Sequence, residues 1–183
     1  MNSFLILIVI AIAIVAYIIS IYNSLATLKV KIKEAWAQID VQLKRRVDLI
    51  PNLVETVKGY AAHEKEVFEN VTKARSALLN ADTPQKAQQA NDQLSGALKS
   101  LFAVAEAYPQ LKAQDGFIQL QKELSDTEDK VAYARQFYNN VVRQYNELIV
   151  AFPGNIFANM LGFKAEEFFE ASESERQAVK VAF

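Results

Sequence analysis

The sequence predicts an all-α protein in which an N-terminal transmembrane helix continues into an antiparallel bundle of long helices. Three observations point there. Only 5 Gly and 4 Pro occur in 183 residues, and good helix formers dominate the rest. An uninterrupted apolar run opens the chain, and apolar residues then recur at alternating spacings of three and four. No stretch of alternating β-branched residues competes.

Phe4 through Tyr22 reads FLILIVIAIAIVAYIISIY, in which Ser20 is the clearly polar residue. At 1.5 Å per residue this run spans roughly 28 Å, close to the thickness of a hydrocarbon core. A core helix of a soluble protein would carry a polar stripe, and none is present. Tyr17 and Tyr22 lie toward the distal end, where interfacial aromatics belong. Ser24 and Ala26 could imitate a signal-peptide cleavage site, but the run is too long and no basic segment precedes it. An uncleaved anchor over residues 1–24, spanning at about 4–22, is expected. Lys29, Lys31 and Lys33 follow the run and no Lys or Arg precedes it. The positive-inside rule then puts the following domain in the cytoplasm.

From Leu25 to Ile50 the stripe Leu25, Leu28, Ile32, Trp36, Ile39, Leu43, Val47, Ile50 makes one helix face. With no Gly or Pro before it, anchor and stripe can form one unbroken rod. Pro51 then either kinks that rod or occupies the first position of a new helix over about 52–79. Asn80-Ala81-Asp82-Thr83-Pro84 is a stop and restart, with Thr83 as N-cap and Pro84 in the first turn. The next helix carries Ala87, Ala90, Leu94, Leu98, Leu101, Ala105 and Tyr108 on one face, and Pro109 helps end it. Phe117 to Phe152 holds the longest 3–4 alternation, the seam of a left-handed bundle, with Thr127 its polar member. Pro153-Gly154 ends it. Residues 25–163 thus form the helical bundle, and residues 164–183 an acidic tail with Glu166, Glu167, Glu170, Glu173 and Glu175, read as a solvated face.

Little in the chain suggests chemistry. Net charge is -1, which argues against nucleic-acid binding, and cysteine is absent, which removes disulfides, thiolate metal sites and thiol nucleophiles. One histidine, His63, cannot build a di-iron pair of Glu-x-x-His motifs. The five glycines never form a phosphate loop. The acidic run Glu123, Asp126, Glu128, Asp129 is most simply solvated. No catalytic, cofactor or metal residue is assigned. The structural candidates are Trp36 on the stripe; Arg45, Arg46 and Asp48 before Pro51, where an arginine could meet freed carbonyls or pair with Asp48; and Tyr138 and Tyr145, whose hydroxyls should find polar partners beside the seam.

AWAQIDVQLKRRVDLIPNLVETVKGYAAHEKEVFENVTKAR, residues 35–75, closely resembles the signature region of the bacterial LemA family. AEAYPQLKAQDGFIQLQKELSDTEDKVAYARQFYNNVVRQYN and FPGNIFANMLGFK agree in order and spacing, and the terminal VKVAF is similar in character. Val47 stands where many relatives carry a histidine. The resemblance implies a single-pass protein of the bacterial inner membrane with a long-helix bundle, and no enzyme activity or cofactor. A magnetosome-associated relative hints at membrane organisation. The expected function is therefore a non-enzymatic scaffold that lies in the lipid bilayer and forms homo-oligomers through its helical faces. The alternative is an adaptor for another membrane protein, such as a protease or a signalling component.

Overall fold

A computed structural model describes residues 2–169. Among the described residues the chain is all-α, without strands: α1 (Asn2–Lys58), α2 (Lys65–Leu79), α3 (Pro84–Glu106), α4 (Pro109–Lys112), α5 (Asp115–Val150) and α6 (Gly154–Met160). It divides into two compact units. One takes residues 2–36 and 136–168; the other takes residues 37–135 and residue 169.

In the first unit, α1 and α5 run antiparallel. Trp36 meets Tyr138 edge-on at 6.3 Å, whereas Ile21, fifteen residues earlier on α1, lies beside Gly154 just past the end of α5. The interior of this unit is Ile21, Leu25, Ile32, Ala35, Val141, Val142, Tyr145 and Ala158. Gly154 is required by close approach: a Cβ there would lie 2.7 Å from the Leu148 carbonyl oxygen. After α6, Gly162 adopts φ 76°, a left-handed conformation that glycine tolerates, and the Phe163 amide closes back onto the Ala158 carbonyl at 3.0 Å.

The second unit is an antiparallel four-helix arrangement. Lys58 lies over the Phe68 ring while Arg75 reaches back to Val47, so α2 reverses α1. Phe102 meets Phe117 edge-on at 6.2 Å where α3 turns into α5. Leu43, Val47, Ile50 and Leu53 of α1 are buried here, as are Leu94, Leu98 and Leu101 of α3 and Phe117, Leu124 and Val131 of α5. Thr83 caps α3 as its sequence foretells, accepting from the Lys86 amide at 3.3 Å with Pro84 in the first turn.

Of the two alternatives at Pro51, the new helix over 52–79 needs correction. The helix does not stop at the proline; α1 continues through it to Lys58. Proline lacks the N–H that would bond the carbonyl four residues back. That carbonyl, of Val47, instead accepts from Arg75 Nε at 3.2 Å. The orphaned acceptor is thereby satisfied from another helix. The break comes later, at residues 59–64, so the single helix over 52–79 becomes the end of α1 and a separate α2. Gly59 begins the turn, and Ala61 is buried within it while its amide bonds the Val57 carbonyl at 2.9 Å. Tyr108 likewise leaves the α3 face and becomes the N-cap of α4. Phe152, the last residue of the proposed seam, is 81% exposed.

Candidate functional site

Two places depart from ordinary bundle packing. The first is the N-terminal third of α1. Phe4, Leu5, Ile6, Leu7, Val9 and Ile12 are all more than half exposed. Only 6% of the apolar window is buried in the structure, so this stretch is not a core helix of the fold. It is long and apolar enough to cross a membrane, and nearly all of its side chains are open on every side of the helix.

Where this stretch ends, α6 and the segment after it line up along α1. Phe157 sits edge-on to Tyr17 at 6.2 Å, Phe163 to Tyr22 at 5.8 Å, and Glu166 pairs with Lys29 at 3.4 Å. Asn146 of α5 fixes the segment by a two-way clamp on Glu166. Its amide donates to the Glu166 carbonyl at 2.8 Å, and its oxygen accepts from the Glu166 N–H at 2.9 Å. The Tyr138 hydroxyl donates to the Glu167 carbonyl at 3.0 Å, and burial together with the nearby Glu166 and Glu167 raises its pKa. Tyr145 is fully buried and its hydroxyl has no hydrogen-bond partner; burial raises its pKa as well. The backbone at the start of the acidic tail is thus held on the helices, while the Glu167 side chain faces solvent. Glu170, Glu173, Glu175 and Phe183 lie outside the described residues.

The second place is Arg46, 2% exposed in the interior of the four-helix unit. Its Nη1 donates to Asn91 Oδ1 at 2.6 Å and its Nη2 to Ser95 Oγ at 3.0 Å, with Glu128 at 3.6 Å. Burial lowers its pKa, and the carboxylates of Glu128 and Asp92 oppose that shift. One side chain therefore ties α1 to α3 and α5. The pairing with Asp48 does not form: Arg45, Asp48 and Pro51 face solvent while Arg46 turns inward. The arginine at the carbonyl freed by Pro51 is Arg75, which spacing alone could not single out. Asn91 was equally hidden, because a polar residue among Ala87, Ala90 and Leu94 reads as a stripe margin until Arg46 is seen opposite it.

The acidic run on α5 does not gather into a site. Glu123 accepts from Gln119 at 3.1 Å, Glu128 faces Arg46, and Asp126 and Asp129 line an open groove of about 980 Å³ beside Val41 and Tyr133. Among the described residues no group of three or more His, Asp or Glu side chains could hold a metal ion, and His63 is exposed.

Comparison with known proteins finds sequence relatives along most of the chain. The chain is 31% identical over 150 residues to Protein LemA of Metamycoplasma hominis, covering 80% of this chain and 67% of that protein. It is 26% identical over 185 residues to Magnetosome protein MamQ 2 of Paramagnetospirillum magneticum, covering 87% of this chain and 68% of that protein. Magnetosome protein MamQ of Magnetospirillum gryphiswaldense is 25% identical over 174 residues, with 81% and 64% covered. The chain therefore spans about two thirds of the length of these relatives. The LemA family profile matches residues 35–183, the signature run and the end of the chain included, and the protein belongs to the LemA family.

Proposed function

We propose that this protein is a non-enzymatic scaffold of the bacterial inner membrane, anchored by residues 4–22 with its helical units in the cytoplasm, and that copies associate side by side. The observation that carries the anchor is the exposed apolar third of α1, which has no protein to bury it. Transferring such a surface from water to lipid is favourable by about 25 cal/mol per Å². Self-association draws support from the apolar side chains left open elsewhere. Val41 is 61% exposed and Tyr133 75% exposed, and both flank the α1–α5 groove. Similarity to proteins named as magnetosome components supports the same reading.

The test is native mass measurement of the full chain in lipid nanodiscs and mild detergent, alongside alkaline carbonate extraction of membranes. The scaffold reading expects carbonate-resistant protein and a defined multimer at micromolar concentration. A monomer overturns self-association. A monomer that copurifies in fixed ratio with one membrane protein makes it an adaptor instead. Ala113 is exposed and the chain lacks cysteine, so Ala113→Cys with an impermeant thiol reagent reads the side of the membrane directly.

A further inference from the structure

Residues 148–163, Leu148 through Phe163, contain no charged side chain, although Glu147 and Lys164 stand immediately outside. An uncharged stretch of this length would ordinarily be packed inside, yet here much of it faces outward. Phe152 is 81% exposed, Met160 77%, Val150 70%, Ile156 49% and Leu161 42%. The other side of the same segment is firmly seated: Gly154 and Ala158 are buried, and Phe157 packs on Tyr17.

The seat decides what the open side meets. Phe157 contacts α1 at Tyr17, and Gly154 lies beside Ile21, both within the apolar run that ends at Tyr22. Tyr17 precedes Tyr22 by five residues, a helical rise of about 7 Å. A segment docked at Tyr17 is therefore carried to a depth of several ångströms inside the distal end of the span. That is the depth, about 5–10 Å, at which amphipathic interfacial helices rest their apolar face.

The backbone suits that medium. Asn155 N–H bonds the Ala151 carbonyl at 2.9 Å, Leu161 N–H bonds Phe157 at 2.9 Å and Phe163 N–H bonds Ala158 at 3.0 Å, so the turn at each end of α6 closes on itself. Unsatisfied amides are what exclude irregular backbone from lipid, and these three are satisfied, which leaves the buried Asn155 Oδ1 as the polar atom here without a partner.

We infer that α6 and the turns flanking it form a second membrane-contacting element, a wedge lying in the bilayer interface beside the anchor with Phe152, Ile156 and Met160 in the acyl region. The inference rests on the proposed insertion of residues 4–22. It adds that the protein occupies one leaflet more than the other, as a single helix would not.

The absence of cysteine allows a direct test on the full chain in vesicles of phosphatidylethanolamine and phosphatidylglycerol. Single nitroxide labels are placed by Val15→Cys, Phe152→Cys, Met160→Cys and Asn140→Cys, all at exposed positions. Collision with oxygen, which concentrates in lipid, is compared with collision with a water-soluble nickel chelate. The oxygen-to-nickel ratio at 152 and 160 should exceed that at 140 by a factor similar to the one at 15. Ratios at 152 and 160 that match 140, while 15 stays lipid-like, overturn the wedge and leave the anchor standing. Labels at 152 and 160 shielded from both agents mean that protein covers the face, which also overturns it. A nickel-dominated label at 15 sinks the anchor, and the wedge with it.

Discussion

The two ends of α1 belong to one continuous helix and yet obey different rules. Before residue 20 every side chain from Ser3 onward is exposed or nearly so, whatever its apolarity; from Leu25 to Val57 apolar residues are buried at helical spacing and, Arg46 apart, the charged ones stay at the surface. Helical geometry is common to both halves. What separates them is the partner each half finds, and an apolar side chain without a protein partner is informative because water would not tolerate so many of them together.

The largest expected effect comes from forcing the first half to obey the rule of the second. The double substitution Ile12→Asp/Ile14→Asp places charges near the middle of the apolar run, each costing about 2.5–3.5 kcal/mol in a bilayer. The carbonate-resistant fraction should collapse. Val30→Asp, at an exposed position past the apolar run, should change stability by less than about 0.5 kcal/mol in a urea melt. Equal responses at the two ends would erase the contrast.

Next in size is Arg46, the charged residue that the buried half accommodates. Arg46→Ala leaves a void and strips Asn91 of its donor, for a loss of about 2–4 kcal/mol. Arg46→Met refills the void but still strips Asn91 of its donor, so it should recover only the packing part of that loss. If Arg46→Met is as damaging as Arg46→Ala in thermal melts, the guanidinium hydrogen bonds outweigh the packing.

A smaller effect, about 1 kcal/mol, is expected of Arg75→Met, which abandons the Val47 carbonyl. In a Pro51→Ala background the alanine amide can serve that carbonyl from within the helix, so the same change should cost less. An unchanged cost in this double-mutant cycle would dissociate Arg75 from the proline.

The smallest is a pH effect in the first unit. Burial raises the Tyr138 pKa above its ordinary value of about 10, so the folded state holds the phenolic proton more tightly than the unfolded chain. Its contribution is complete below about pH 10 and is lost as pH rises through the folded value. Tyr138→Phe should flatten the alkaline end of a stability–pH curve, while removing the bond to Glu167 lowers the neutral plateau by about 1 kcal/mol. A curve of unchanged slope would show that Tyr138 ionises alike in both states.

Much of this architecture can be read from residue order. Periodicity marks the stripe from Leu25 to Ile50 and the seam on α5, and Thr83-Pro84 announces its helix start through the chemistry of the cap. The turn at 59–64 escapes because Ala61 is buried within it, so the apolar count from Val57 continues across a break in the backbone. Gly59 was the available signal, but one glycine is weaker than an unbroken stripe. Partners across helices were also illegible: periodicity tells which face Arg46 occupies, not that Asn91 and Ser95 stand opposite. The clamp of Asn146 on Glu166 shares that limit. Spacing within one helix carries no information about a segment twenty residues away.

The bond from Arg75 to Val47 gives the longest helix a dependence on order of synthesis. Twenty-four residues past Pro51 must be made, and α2 must fold back, before the carbonyl left open by the proline finds its protein donor. Until then water has to serve it, and the helix around the proline remains the weakest link of α1. Continuity through Pro51 is thus acquired on docking, so that a nascent chain emerging from the ribosome completes its backbone there only after the hairpin has closed.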